Sequence, residues 1–125
     1  MMTTLDLTQM SRVLDRYPDL SIDGWRCPKC GPNSVYGNRQ FDARRAMFWE
    51  MEYLTHTATA LEYFWHFDIH IKSGSYGLKH TIERWGRDNG LAGFVTNGCA
   101  ILAALMSGYE AVRSPDSQNC GFRLP

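Results

Sequence analysis

Asn97-Gly-Cys-Ala-Ile-Leu-Ala-Ala-Leu-Met-Ser-Gly108 is the stretch that decides the fold. It contains no charged side chain, and its apolar residues fall on every side of a 3.6-residue repeat. A helix that is apolar all round sits at the centre of whatever packs on it. Thr96 stands where an N-cap belongs, and Gly108 where a helix stops. The stretch predicts a central helix with Ile101, Leu102, Ala104 and Leu105 almost fully buried.

Working outward from it, Tyr109–Arg113 and Cys120–Leu124 alternate around Ser-Pro-Asp-Ser-Gln-Asn, the pattern of a β-hairpin. On the other side, Leu78, Ile82 and Trp85 mark the buried face of a helix capped by Ser75 and stopped at Gly90. Further upstream, Met47, Phe48, Met51, Leu54, Ala58, Leu61 and Trp65 recur at three- and four-residue steps behind Asp42, a good N-cap. Nothing interrupts that stripe before Asp68, so it predicts one helix of roughly 25 residues. Leu7, Met10, Val13, Leu14 and Tyr17, with Pro18 as a stop, predict a helix from about residue 6 to 17. Residues 19 to 40 are rich in Gly and Pro and read as loop. The fold class that follows is mainly α (α+β): about four helices and a short C-terminal β-hairpin in a single domain over residues 1–125.

The totals narrow the functions. The chain has 125 residues, 44% of them hydrophobic and 13% aromatic, enough for one core. Thirteen Lys and Arg balance thirteen Asp and Glu, so the basic excess of a phosphate-binding protein is absent, as is the acidic excess of a DNA mimic. No run approaches the roughly 20 apolar residues of a membrane span. The start, MMTTLDLTQMSRVLDRY, lacks the basic and apolar regions of a secretory signal,. The expectation is a cytoplasmic protein with its four cysteines reduced.

Cys27-Pro-Lys-Cys30-Gly31 is the sharpest motif, a knuckle that turns two thiolates toward one zinc ion. A second such pair is absent, so the other ligands would have to be His66 or His70, or else Cys99, Cys120, His56 or His80. A structural zinc domain is one reading of this motif; two free cysteines in a loop is the other. No further cofactor is implied. His66-x-x-x-His70 lacks the Glu of the zinc-protease motif, and no phosphate loop or nucleophile elbow occurs. The chain therefore offers no catalytic residues and reads as a non-enzyme. Two helices, a turn and a hairpin also have the order of a winged-helix DNA regulator. The helix in the reading position, Asn97–Ser107, has no Arg, Lys or Gln to offer base edges. The aromatic surplus between Phe41 and Tyr76 points elsewhere. Trp25, Arg26, Arg44, Arg45, Trp49, Tyr53 and Tyr63 are candidate partner-binding side chains, because Trp, Tyr and Arg are the usual anchors of protein interfaces.

Ser75-Tyr-Gly-Leu-Lys-His80, Glu83, Phe94-Val-Thr-Asn-Gly98, Ile101, Ala103-Ala-Leu105 and Gly108-Tyr109 together resemble small uncharacterised proteins encoded on phages and plasmids. The resemblance covers residues 75 to 122. It implies a mobile-element origin and a chain that inhibits a host complex by binding it, a CRISPR or other defence machine being one such target. It brings no catalytic residue with it.

Overall fold

The computed structural model describes residues 5–30, 40–69, 74–114 and 116–124. Helix α1 spans Leu7–Arg16, and Asp6 caps it by accepting the Gln9 N–H at 3.1 Å. Strands β1 (Leu20–Ser21) and β2 (Gly24–Trp25) form a tight antiparallel pair that pairs Leu20 with Trp25. Helices α2 (Phe41–Ala46), α3 (Met51–His66), α4 (Ser75–Asp88) and α5 (Asn97–Met106) follow. Strands β3 (Glu110–Arg113) and β4 (Cys120–Arg123) close the chain as an antiparallel hairpin, with Cys120 and Phe122 facing inward.

Helix α5 is the centre, and all ten of its residues are buried. Helices α1, α3 and α4, both short strands of the first pair and β3 all pack on it. Ile101, Leu102 and Ala104 are fully enclosed and Leu105 is 8% exposed, as the sequence predicts. Thr96 caps the helix by accepting the Cys99 N–H at 3.1 Å. Gly90 and Gly108 end α4 and α5 with φ of +70° and +95°, a conformation that costs glycine little.

The long helix predicted behind Asp42 is in fact two. Gln40 holds the N-cap position of α2, with Asp42 inside its first turn. Met47–Trp49 tighten into a 3-10 turn, and Glu50 is extended at φ −76° and ψ 145°. A straight helix of about 25 residues would run roughly 38 Å, against about 15 Å for the central helix it has to cover. The break folds the segment back, so that Phe41 and Phe48 are buried together with the core.

Helix α3 also turns a different face inward. Its stripe of Met51, Leu54, Ala58, Leu61 and Trp65 faces outward or lies at the edge, with Met51 78% and Trp65 74% exposed. His56, Thr57, Thr59, Ala60 and Tyr63 are buried instead. The two threonines are tolerated there because they find partners: Thr57 donates to the Tyr53 carbonyl at 3.1 Å, and Thr59 accepts the Ala92 N–H at 3.3 Å,. Ser75 does not cap α4, where Gly74 holds that position. Its hydroxyl instead accepts the Cys120 N–H at 3.1 Å and ties α4 to the hairpin.

Candidate functional site

The expected partner-binding side chains separate into three groups. Trp25 is 1% exposed and Tyr63 is 8% exposed, which corrects their place among the candidate anchors, because buried side chains present no anchor to a partner. The small β1–β2 pair carries Trp25 inward, where Tyr17 meets its ring edge-on at 5.8 Å, and Tyr63 lies on the buried face of α3. Arg26 and Arg45 are half-buried and engaged with other parts of the fold. The Arg26 guanidinium lies 4.1 Å over the Phe41 ring. Arg45 donates to the carbonyls of Tyr17 at 3.0 Å and Leu20 at 2.8 Å, and also to that of Leu14. It thus satisfies the C-terminal end of α1, whose last carbonyls have no partner within the helix. The remaining three, Arg44, Trp49 and Tyr53, lie at the surface or at cavities. Trp49 is 45% exposed and borders a cavity of about 380 Å³ with Ser11, Leu14, Asp15, Asp42 and Arg45.

Arg44 and Tyr53 meet at a second cavity of about 240 Å³. Besides α2 and α3, which carry them, four further parts of the chain build it. The β1–β2 turn contributes Ile22 and Asp23, α4 contributes Tyr76 and Lys79, the approach to α5 contributes Phe94, Thr96 and Asn97, and the hairpin loop contributes Gln118 and Asn119. Tyr76 and Phe94 stand at its mouth, each 57% exposed. Tyr76 meets His80 edge-on at 4.6 Å, and the Lys79 ammonium lies 4.6 Å over the Phe94 ring.

The charges around this cavity are paired. Arg44 grips Asp23 at two points, Nε to Oδ2 at 2.8 Å and Nη2 to Oδ1 at 2.7 Å. Behind the wall, the buried Glu83 carboxylate accepts Lys79 Nζ at 2.9 Å and the Val95 N–H at 3.0 Å, and its other oxygen lies 2.9 Å from His80 Nδ1. Burial by itself pushes the Glu83 pKa up. The Lys79 and Val95 hydrogen bonds and the Lys79 and His80 charges outweigh it and hold the carboxyl below its ordinary value,. Asn97 knits the floor: its Nδ2 donates to Asn119 Oδ1 at 2.9 Å and to the carbonyls of Gln118 at 3.3 Å and Asp23 at 3.4 Å. His56, in edge contact with Tyr53 and Phe94, is buried, and that burial lowers its pKa.

The cysteine knuckle differs from the expectation of reduced thiols. Cys27 and Cys30 are joined by a disulfide with their Cα atoms 5.3 Å apart, so the thiolate pair a zinc ion needs exists only after reduction. His66 lies against Phe67 and Trp85 and pairs with Glu62, and His70 lies outside the described residues. Among the described residues no three His, Cys, Asp or Glu side chains are grouped so as to hold a metal ion. Cys99 and Cys120 are free and buried. Burial pushes the Cys99 thiol up to about 11 and raises that of Cys120 as well. Iodoacetamide at pH 8 is therefore expected to leave both unlabelled in the native protein and to label both after denaturation, read by intact mass. Fast labelling of either in the native state would contradict this burial.

Lys79, Asn97 and Asn119 were not singled out from the sequence. The available signal was the cluster of polar residues within Ser75–His80 and Val95–Gly98, which α4 and the start of α5 bring to one cavity. Compared with known proteins, the chain matches no family model, no curated relative and no solved structure.

Proposed function

We propose that the chain is a non-enzymatic protein-binding protein that docks through the mouth of the Tyr76–Phe94 cavity. One observation carries this reading: two aromatic side chains, each 57% exposed, flank a cavity whose wall holds Arg44, Lys79 and Tyr53. Exposed aromatics around a pocket, with Arg and Tyr beside them, are what partner proteins anchor on. The pairing of Arg44 with Asp23 and of Lys79 with Glu83 suits recognition, because it holds the wall rigid before a partner arrives. A DNA-reading role draws less support, since the helix in the reading position is enclosed on every side. The finer expectation, inhibition of a host machine such as a CRISPR complex, is supported by the resemblance of residues 75 to 122 to phage- and plasmid-encoded proteins.

The test compares immobilised wild type with a Tyr76→Ala/Phe94→Ala variant for proteins captured from a bacterial lysate. Both side chains are more than half exposed, so the variant is expected to melt as wild type does. It is expected to lose at least about tenfold of any specific capture, as removal of interface anchors does. Equal capture by the two proteins would overturn this docking face.

A further inference from the structure

We propose that Cys27 and Cys30 form a site of reversible thiol–disulfide exchange, which a small thiol of the glutathione type opens and the corresponding disulfide closes. The inference stands apart from the docking reading above.

The bond does little as a staple. It joins residues three apart in sequence, and the chain entropy that a disulfide removes from the unfolded state grows with the loop it closes. The segment is also fastened without it. The Trp25 N–H donates to the Gln118 carbonyl at 2.9 Å, and the Arg26 N–H to that of Asp19 at 2.7 Å. The turn that sets the two cysteines side by side is likewise independent of the bond. It is the 3-10 turn Pro28–Cys30, closed by the Cys30 N–H donating to the Cys27 carbonyl at 3.0 Å. Once opened, the two thiols stay neighbours and can close again.

The reduced form has partners waiting. Cys30 Sγ lies 3.6 Å from the Asp116 carbonyl oxygen and 3.6 Å from Gln118 Oε1. A disulfide sulfur has no proton to donate, and neither oxygen receives another hydrogen bond among the described residues. A Cys30 thiol can donate to either. Hydrogen bonds gained only on reduction favour the dithiol, and a pair whose reduced form is stabilised is the more readily reduced.

Access assigns the roles. Cys30 is partly exposed and Cys27 is 0% exposed, so an incoming thiolate reaches Cys30. It attacks Cys30 Sγ and forms a mixed disulfide there. The Cys27–Cys30 bond breaks, and Cys27 leaves as a thiolate that takes up a proton. A second thiol then attacks the reductant's own sulfur in the mixed disulfide. Cys30 leaves as a thiolate and is protonated, and the two reductant sulfurs depart joined to each other. Two electrons have passed from the thiols to the chain. In the reverse direction Cys30 opens an incoming disulfide, and Cys27 beside it displaces the bound thiol. Cys99 and Cys120 are buried and stand outside the exchange.

The test exposes the native full chain at neutral pH to millimolar reduced glutathione. The reaction is quenched with acid, the chain is unfolded and alkylated with iodoacetamide, and the intact mass is read. Four alkyl groups are expected, where the untreated chain takes two, on Cys99 and Cys120. Oxidised glutathione is then expected to restore the untreated mass with no lasting adduct. Structural disulfides resist the glutathione pool, so two alkyl groups after treatment, or four only in urea, would overturn the exchange site. A reduced chain that ends as a stable glutathione adduct would overturn Cys27 as the thiol that resolves the mixed disulfide. The roles are separated by treating Cys27→Ala and Cys30→Ala, both reduced, with oxidised glutathione. Cys27→Ala is expected to gain a single adduct at least about tenfold faster than Cys30→Ala, because its remaining thiol is the accessible one. Equal rates, or a faster adduct on Cys27, would overturn Cys30 as the sulfur attacked. A variant that fails to fold reveals itself by adducts on Cys99 and Cys120, and the wild-type measurement, which needs no substitution, then decides the exchange by itself.

Discussion

Gly98→Ala is expected to lower stability by more than about 3 kcal/mol, or to prevent folding, although alanine is the better helix former by about 1 kcal/mol. A Cβ at this position would lie 1.8 Å from the Ser21 carbonyl oxygen and 2.6 Å from the Ile22 carbonyl carbon. These are backbone atoms, which no rotamer change can move aside. The Gly98 N–H also donates to the Ile22 carbonyl at 2.9 Å, so the β1–β2 turn and the first turn of α5 are in direct backbone contact. Overpacking a tight contact typically costs about 1–3 kcal/mol, and backbone against backbone belongs at or beyond the top of that range. Urea unfolding of the variant beside wild type measures the difference. A variant as stable as wild type, or more stable, would mean that helix propensity wins and that the close approach is wrong.

The second large effect is expected at Glu83. Glu83→Ala would leave the Lys79 ammonium without its counter-charge and the Val95 N–H without its acceptor in a largely buried site, and removal of one partner of a buried ion pair costs about 3–5 kcal/mol. The pH dependence has a definite sign. The folded-state pKa of Glu83 lies below its ordinary value, so its contribution is fully present above the unfolded carboxyl value of about 4.3 and fades as acid titrates the folded carboxylate below it. Stability curves at pH 7 and at pH 3 should therefore differ less for Glu83→Gln than for wild type. Identical losses in the two proteins would remove Glu83 from the acid response.

The parts of the fold legible in the sequence are those set by local chemistry. The apolar run after Thr96, the hairpin around Ser114–Asn119 and the stops at Gly90 and Gly108 depend on residues within a turn or two of each other. The break at Glu50 does not. The three- and four-residue steps run straight through it, and only the length of α5 and the burial of Phe41 and Phe48 require the chain to bend there. The inward face of α3 is likewise a tertiary matter. Periodicity finds an apolar stripe through Met51 and Trp65, but partners on neighbouring segments make Thr59 acceptable inside. Trp25 looked like a loop anchor because a two-residue strand leaves almost no trace in sequence. Of the cavity, Arg44 and Tyr53 were visible as Arg and aromatic candidates. Lys79, Asn97 and Asn119 came into view only when α4, α5 and the hairpin loop were folded together.

The enclosure of α5 on all sides has a consequence for hydrogen exchange. Its amides cannot meet solvent by fraying of one face, so they should exchange only when the whole packed unit opens, and their slowest rates then report the global unfolding free energy. The first turn of that same helix supplies Thr96 and Asn97 to the cavity wall. An occupant of the cavity that binds only the folded state raises that free energy by mass action. Deuterium retention in Ile101–Leu105, remote from the mouth, thus becomes a gauge of occupancy that needs no label on the ligand.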